Sequence, residues 1–330
     1  MLVDSFNRKV DYLRVSVTER CNFRCQYCMP EKPFEWTPKE KILSYEEMFK
    51  FIKISIDNGV KKIRLTGGEP LVREDLDKLI KMIYDYNIDI DLALTTNGFL
   101  LKSQIEKLKN AGLKRINISI DSLSKETFWY LAKKDALEAV QEGIESAIAA
   151  GMTVKLNTVV MKDINDVEVV ALYEYAKARD VQIRFIEYMK NENALDTLKT
   201  VPSKEILARI EKKYRIEELP SKDNSVAKLF KDEDGFVFGI IEPYDDSFCK
   251  SCNRIRLSAE GDLIPCLYFE DSLNIKSAMQ SDEKLEEVLK TVIKNKPEKN
   301  KWSYATDANA DVNLGAENEI SSRAFYFTGG

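Results

Sequence analysis

The chain has 330 residues, 44% of them apolar and 32% charged, with a formal net charge of −5. This is the composition of a globular protein with room for a large core, and the acidic balance argues against broad nucleic-acid binding, which needs a basic face to displace counterions. Histidine is absent, which excludes Ser-His-Asp and Cys-His catalysis, paired-histidine metalloprotease sites and zinc sites that mix cysteine with histidine.

Met1–Val10 carries three charged residues and no apolar run of the kind that opens a secretory signal. No later stretch has the length of a membrane span, so a cytoplasmic protein without membrane contact is expected. From Tyr12 to Glu187, short β-rich runs alternate with helical patterns. Strands are expected at Tyr12–Val17, Lys61–Thr66, Ile90–Thr95, Arg115–Ile120, Thr153–Val159 and Gln182–Glu187. One helix opens at Ser44, with Glu47 completing a capping box and Met48, Ile52 and Ile56 on one face. A second carries Leu76, Leu79, Ile80 and Ile83, and a third carries Leu137, Val140, Ile144 and Ile148 and stops at Gly151. The last of the series runs from about Asp166 to Arg179.

Six such units predict an α/β fold with a parallel sheet covered by helices. Six is short of the eight of a closed barrel, so an open partial (β/α)6 TIM-like barrel is expected over residues 1–190. Beyond Met189 the alternation stops. A helix near Ser203–Lys213, strands near Val226–Phe230 and Phe236–Ile241, and a helix near Ser281–Lys294 predict a smaller α+β region over 191–330. Lys296–Glu319 is polar and weakly patterned, which predicts loop.

In such folds ligands bind at the carboxyl ends of the strands. The first strand runs into Cys21-Asn22-Phe23-Arg24-Cys25-Gln26-Tyr27-Cys28, and the second ends in Gly67-Gly68-Glu69-Pro70. The third ends in Thr95-Thr96-Asn97-Gly98 and the fourth in Ser119-Ile120-Asp121. The fifth holds Lys155 and Asn157, and the sixth ends in Glu187-Tyr188-Met189. One rim is therefore expected to collect three thiols, a glycine turn and several polar groups.

The six cysteines form two groups of three: Cys21, Cys25 and Cys28, then Cys249, Cys252 and Cys266. Clustered thiols in a chain with no export signal point to metal or redox chemistry before disulfides. Three thiolates can hold three irons of a four-iron cluster and leave the fourth iron open. A structural zinc site is the alternative, but zinc takes four protein ligands and no histidine is present to be the fourth. Arg254 and Arg256 stand two apart beside the second group, so on a strand they share a face and suit phosphate oxygens. The chain ends in Gly329-Gly330, small enough to thread a narrow pocket.

Together these motifs resemble the GTP 3′,8-cyclase family of the radical S-adenosylmethionine superfamily. The residues that carry the likeness are Arg14 to Pro30, Arg64 to Leu71, Phe185 to Met189, Phe248 to Leu257 and the terminal Gly-Gly. The resemblance implies two [4Fe-4S] clusters, the first on Cys21, Cys25 and Cys28 and the second on Cys249, Cys252 and Cys266, whose open iron takes the guanine edge. It implies S-adenosylmethionine contacts at Tyr27, Gly68, Ser119 and Met189. It implies GTP contacts at Arg14, Arg64, Thr95 (or its neighbour Thr96), Lys155, Arg254, Ile255 and Arg256. Gly329 and Gly330 resemble the family's catalytic tail, and Arg323 lies near it without an assigned role.

The implied reaction removes the 3′ hydrogen of GTP and closes a bond to C8. It gives (8S)-3′,8-cyclo-7,8-dihydroguanosine 5′-triphosphate in the first step of molybdenum cofactor biosynthesis. The implied partners are a reductant and the downstream cyclic pyranopterin monophosphate synthase, with a monomer or homodimer expected. Asp163 stands where the family usually has glycine, and Lys133–Ala136 is shorter than usual. The competing readings are a radical enzyme that modifies a peptide and uses auxiliary clusters, and a zinc-stabilised binding module without catalysis.

Overall fold

The computed structural model describes residues 1–30, 35–220, 226–299 and 325–328. Strand β1 (Tyr12–Ser16) is followed by helix α1 (Tyr45–Asp57), β2 (Lys62–Thr66), α2 (Leu76–Tyr86), β3 (Asp91–Thr96) and α3 (Leu101–Asn110). Next come β4 (Arg115–Ser119), α4 (Lys125–Ala132), α5 (Leu137–Ala149), β5 (Thr153–Val160), α6 (Val169–Lys177) and β6 (Gln182–Glu187). The rest comprises α7 (Ser203–Glu211), β7 (Ile216–Glu218), β8 (Ala227–Asp232), β9 (Val237–Ile241), α8 (Asp246–Lys250) and β10 (Arg254–Leu257). It ends with β11 (Asp262–Ile264), β12 (Leu273–Asn274), α9 (Asp282–Lys294) and α10 (Phe325–Thr328).

Local chemistry accounts for the helix ends. Ser44 accepts from the Glu47 backbone while the Glu47 carboxylate accepts from Ser44 N, a complete capping box on α1. Leu76, Leu79, Ile80 and Ile83 form the buried stripe of α2, each worth about 1.5–3 kcal/mol when taken from water. Gly151, two residues past the end of α5, has a φ of +74°, a conformation that a side chain would strain.

All strands belong to one sheet in the order β12-β11-β10-β1-β2-β3-β4-β5-β6-β9-β8-β7. The six expected strands are parallel neighbours, and β10 and β9 flank them, also parallel. The parallel run therefore contains strands from the carboxy-terminal half, which no strand–helix alternation announced. β9 and β10 do not pair with each other, so the curl stays open.

The register separates two faces. Leu13 pairs with Ile63, Ile63 with Leu92, Leu94 with Ile116, Ile116 with Val154 and Leu156 with Ile183. These residues are buried in the main core beneath the helices. The residues between them, with a period of two, are polar except for Ala93 and face the interior of the curl.

Candidate active site

The first cysteine group occupies the loop after β1. Cys28 N and Met29 N both donate to Cys25 O, at 2.9 and 3.0 Å, closing a tight turn. The end of α4 holds the loop from one side, accepting from Arg24 N at Ala132 O and from Gln26 N at Leu131 O, both at 3.0 Å. From the other side Asn191 Nδ2 donates to Tyr27 O at 2.9 Å, and the Tyr27 hydroxyl donates to Asp121 Oδ2 at 2.7 Å. Burial keeps Asp121 up at about 6 despite that bond.

All three thiols are partly buried. Burial, and then neighbouring negative charge, pushes Cys21 and Cys28 up to about 12 and Cys25 well above the usual thiol range. As thiolates they need a positive charge that the surrounding side chains do not supply, and iron supplies it. Among the described residues no three His, Cys, Asp or Glu side chains converge on a site for one ion. The thiolates of a four-iron cube each take a separate iron, so such ligands need not converge. The donor set fits the cluster.

The glycine turn has a structural reason that the sequence did not reveal. A Cβ on Gly67 would lie 2.3 Å from Thr18 O, and one on Gly68 would lie 2.4 Å from Glu19 O and 2.5 Å from Arg20 O. Gly68 N and Glu69 N donate to Thr18 O and Arg20 O, both at 2.8 Å. The glycines thus let the turn lie against the stem of the cysteine loop. Glu69 is 1% exposed and accepts from Thr96 Oγ1 and Asn97 N at 2.7 Å and from Leu71 N at 3.0 Å. Burial raises it to about 7.

Below this rim, the interior face is cationic. Arg14 pairs in register with Arg256 on one side and Arg64 on the other, giving a lateral row of guanidiniums across β10, β1 and β2. Arg254 stands one step down, opposite Tyr12. Thr95, Asn117 and Lys155 continue across β3, β4 and β5, and Arg184 on β6 stands opposite Asn157. Arg64 donates to the Tyr12 hydroxyl at 2.5 Å and to Thr95 Oγ1 at 3.4 Å, and Arg184 donates to Asn117 Oδ1 at 2.7 Å.

These cations weaken one another. Burial and then neighbouring arginines lower Arg184 to about 9 and Lys155 to about 8. Burial lowers Arg14 to about 9, with Arg256, Arg64 and Arg254 adding to it against the opposing pull of Tyr12. Burial alone would raise Tyr12, but Arg64 and Arg14 outweigh it and bring the phenol down to about 8. Arg184 Nε, Arg256 Nε and Asn157 Oδ1 have no hydrogen-bond partner among the described residues. A cavity so arranged favours a polyanion.

Thr95 and Thr96 are separated by strand alternation. Thr95 faces the arginines, whereas the Thr96 hydroxyl is committed to Glu69. Ile255 departs from the expected set in side-chain direction: it is fully buried opposite Leu13, on the face beneath the helices. Its neighbours Arg254 and Arg256 take the interior because successive strand residues point to opposite faces. Ser119 is half-buried at the end of β4 and in register with Asn157.

The second group lies at the opposite end of the curl from the first. Cys252 precedes β10, and Arg8, which precedes β1, donates to Cys249 O at 2.9 Å. Cys249 sits in α8, which Asp245 caps by accepting from Ser247 N at 2.7 Å. Cys252 Sγ accepts from Lys296 Nζ at 3.3 Å and Arg254 Nη2 at 3.5 Å. Burial raises this thiol, but Arg254 and Lys296 outweigh burial and bring it down to about 5. The row of guanidiniums lies on strands whose two ends lead to the two groups.

Met189 packs with Tyr268, Leu267 and Cys266, and Tyr268 OH approaches its sulfur at 3.4 Å. Its neighbour Tyr188 packs instead toward Tyr27. Helix α10 reaches both groups, because the Tyr326 backbone donates to Cys28 and Phe325 packs beside Cys266. Gly329, Gly330, Arg323 and residues 300–319 lie outside the described residues. Sequence reasoning placed Glu69 and Asp121 on the rim without giving them a role, and it missed Tyr12, Asn117, Arg184 and Lys296. For Arg184 and Asn117 the available signal was a polar side chain recurring within a strand of an otherwise buried parallel sheet.

Known proteins resemble this chain along its whole length. Residues 15–176 match the radical SAM superfamily and residues 181–302 match the family described as Molybdenum Cofactor Synthesis C. The fold is also that of SuiB from Streptococcus suis, at a TM-score of 0.58 and 16% identity over 84% of this chain and 65% of that one. It is shared with anSMEcpe, at a TM-score of 0.56 and 18% identity over 86% of this chain and 80% of that one. These matches define the class, a radical S-adenosylmethionine fold with a molybdenum-cofactor carboxy-terminal half.

The GTP 3′,8-cyclase of Aliarcobacter butzleri is 58% identical over the whole of both chains, and that of Nautilia profundicola is 57% identical over the same extent. The Campylobacter jejuni enzyme is 52% identical, again over all of both chains. The chain belongs to the GTP 3′,8-cyclase family.

Proposed function

We propose that this chain converts GTP to (8S)-3′,8-cyclo-7,8-dihydroguanosine 5′-triphosphate. The observation that carries the proposal is the register row Arg256–Arg14–Arg64, a charge pattern for a polyphosphate on strands that join two thiol triads. Cys21, Cys25 and Cys28 hold one four-iron cluster, and Cys249, Cys252 and Cys266 hold the other. When bound, the first cluster and S-adenosylmethionine supply a carbon radical able to take a hydrogen atom from the ribose, and the second cluster supplies an open iron for the purine.

The chain's own residues bind, orient and exclude. Arg14, Arg64, Arg254, Arg256 and Lys155 neutralise the triphosphate, and Arg184 adds a donor through its unpartnered Nε. Thr95 and Asn117 brace those guanidiniums, fixing the nucleotide so that C3′ and C8 keep one orientation. Tyr27, Gly68, Ser119 and Met189 hold S-adenosylmethionine, with Asp121 anchoring Tyr27. The Gly329-Gly330 tail takes part in catalysis, and α10, which precedes it in the chain, lies against Cys28.

The product passes to the synthase that makes cyclic pyranopterin monophosphate, and an external reductant supplies the electron. Among the described residues no helix is long and apolar enough to cross a membrane, and we place the reaction in the cytoplasm. The test is anaerobic incubation with reductant, S-adenosylmethionine and one nucleotide at a time. Formation of 5′-deoxyadenosine with GTP and not with ATP supports the reading; equal formation with either nucleotide, or with none, contradicts it.

A further inference from the structure

The turn after α9 carries a lysine that the mechanism above does not use. Lys296 is only 3% exposed, and lysine is seldom buried without a partner for its charge. Its three N–H donors go to Cys252 Sγ at 3.3 Å, Arg254 O at 3.0 Å and Pro265 O at 3.0 Å. Both carbonyls belong to the chain around the triad, since Pro265 immediately precedes Cys266 and Arg254 stands two residues past Cys252. The residues next to Lys296 reach the third cysteine. Arg8 Nη1 donates to Glu298 O at 2.6 Å and to Cys249 O at 2.9 Å, and Arg8 Nη2 donates to Pro297 O.

The position is firmly built. Lys296 N donates to Ile293 O at 3.2 Å, and Leu285, Leu289, Val292 and Ile293 bury the face of α9 that carries this turn. Arg8 is itself fixed by Asp4 at 2.6 Å. The ammonium therefore stays on Cys252 without depending on a mobile side chain.

A buried cation that donates to a ligand sulfur does more than fill space. Charge-assisted bonds to a thiolate stabilise negative charge, and reduction of a thiolate-bound cluster adds negative charge. Hydrogen bonds to the ligand sulfurs and nearby net charge are the protein's levers on cluster potential. Arg254 also touches Cys252 Sγ, but its guanidinium belongs to the substrate-facing set. Lys296 has no such second duty.

We propose that Lys296 is a positioning residue that sets the reduction potential of the second cluster, by holding one positive charge and one N–H donor on Cys252 Sγ. The inference rests on the reading of Cys249, Cys252 and Cys266 as ligands of a four-iron cluster. It makes that cluster easier to reduce than its thiolates alone would.

The test compares the holoenzyme with K296R, K296Q and K296M by anaerobic redox titration followed by electron paramagnetic resonance, with iron counted in each sample. The first cluster serves as the internal reference. In K296Q and K296M the second step moves to lower potential by about tenfold in its equilibrium constant, about 59 mV for one electron. K296R stays close to the unmodified protein, and the first step is unchanged in all. The titration reads only loaded clusters, so partial loading leaves the comparison valid.

Unshifted potentials in the neutral variants, or an equal shift in K296R, overturn the inference. So does complete loss of iron from the second triad in both neutral variants beside full loading in K296R, because Lys296 would then be a scaffold for the loop. An unmodified protein that shows only one reducible cluster overturns the two-cluster reading itself, a distinguishable result.

Discussion

Neutralising Arg184 is expected to stabilise the empty protein and to weaken GTP binding. Arg184 stands on the interior face with one bond to Asn117 and an Nε that no described residue satisfies. Burial, and then Arg64, lowers it from 12.5 to about 9. A fall of that size is a charging penalty of several kcal/mol at about 1.4 kcal/mol per pKa unit. Arg184 keeps partial contact with solvent, which screens the penalty, and glutamine loses a hydrogen bond worth about 1 kcal/mol. Arg184→Gln should therefore gain about 1–2 kcal/mol without ligand and melt a few degrees higher. Charged hydrogen bonds to phosphate contribute about 1.5–3 kcal/mol, so GTP affinity should fall roughly 10- to 100-fold. Anaerobic scanning calorimetry and titration calorimetry measure the two effects on the same preparation. A variant that is less stable when empty, or that binds GTP as tightly as before, would refute the argument that the cavity is strained by its own charge.

Three further outcomes follow from single residues. Gly68→Ala puts a Cβ against Glu19 O and Arg20 O at 2.4 and 2.5 Å, and should displace the first cysteine loop. Chemical iron analysis should then drop from about eight to about four per chain. Lys155, lowered by burial and then Arg184 to about 8 from 10.5, binds its proton more tightly in the unfolded chain. Stability of the empty protein should therefore rise with pH between about 8 and 10.5, with the whole penalty present below 8. Denaturant titrations across that range should show a shallower slope in Lys155→Met, with the remainder carried by Tyr12, Arg14 and Arg184. Asp163 has a φ of +62°, so Asp163→Gly should stabilise by about 0.5–1 kcal/mol, seen as a higher thermal midpoint.

The chemistry carried by contiguous residues was legible from the chain alone. Cysteine spacing, the glycine turn and the strand exits are local, and the first triad follows β1 as the pattern demands. Lateral register is not local. Nothing in the spacing of Arg14, Arg64 and Arg256 shows that they stand side by side, because β10 reaches β1 from more than two hundred residues away. The same non-locality hid the position of the second triad at the far end of the curl. It also hid the pairing of β9 with β6, because α7, β7 and β8 all intervene between the two strands.

The glycines show a second limit. The glycine turn was visible in the chain, but only the fold shows that the missing side chains let it lie against the backbone of the cysteine stem. Asp163 shows the reverse case. Its departure from the family's glycine was visible, but only its left-handed backbone explains why glycine suits that position. Lys296 gave no signal, being one lysine in a polar stretch until α9 turned it onto Cys252.

The most direct test of the account uses GTP deuterated at C3′, with reductant and S-adenosylmethionine under anaerobic conditions and mass analysis of the nucleoside products. The account predicts one deuterium in 5′-deoxyadenosine and a cyclised nucleotide that has lost it. Unlabelled 5′-deoxyadenosine beside a GTP that keeps its deuterium would contradict it.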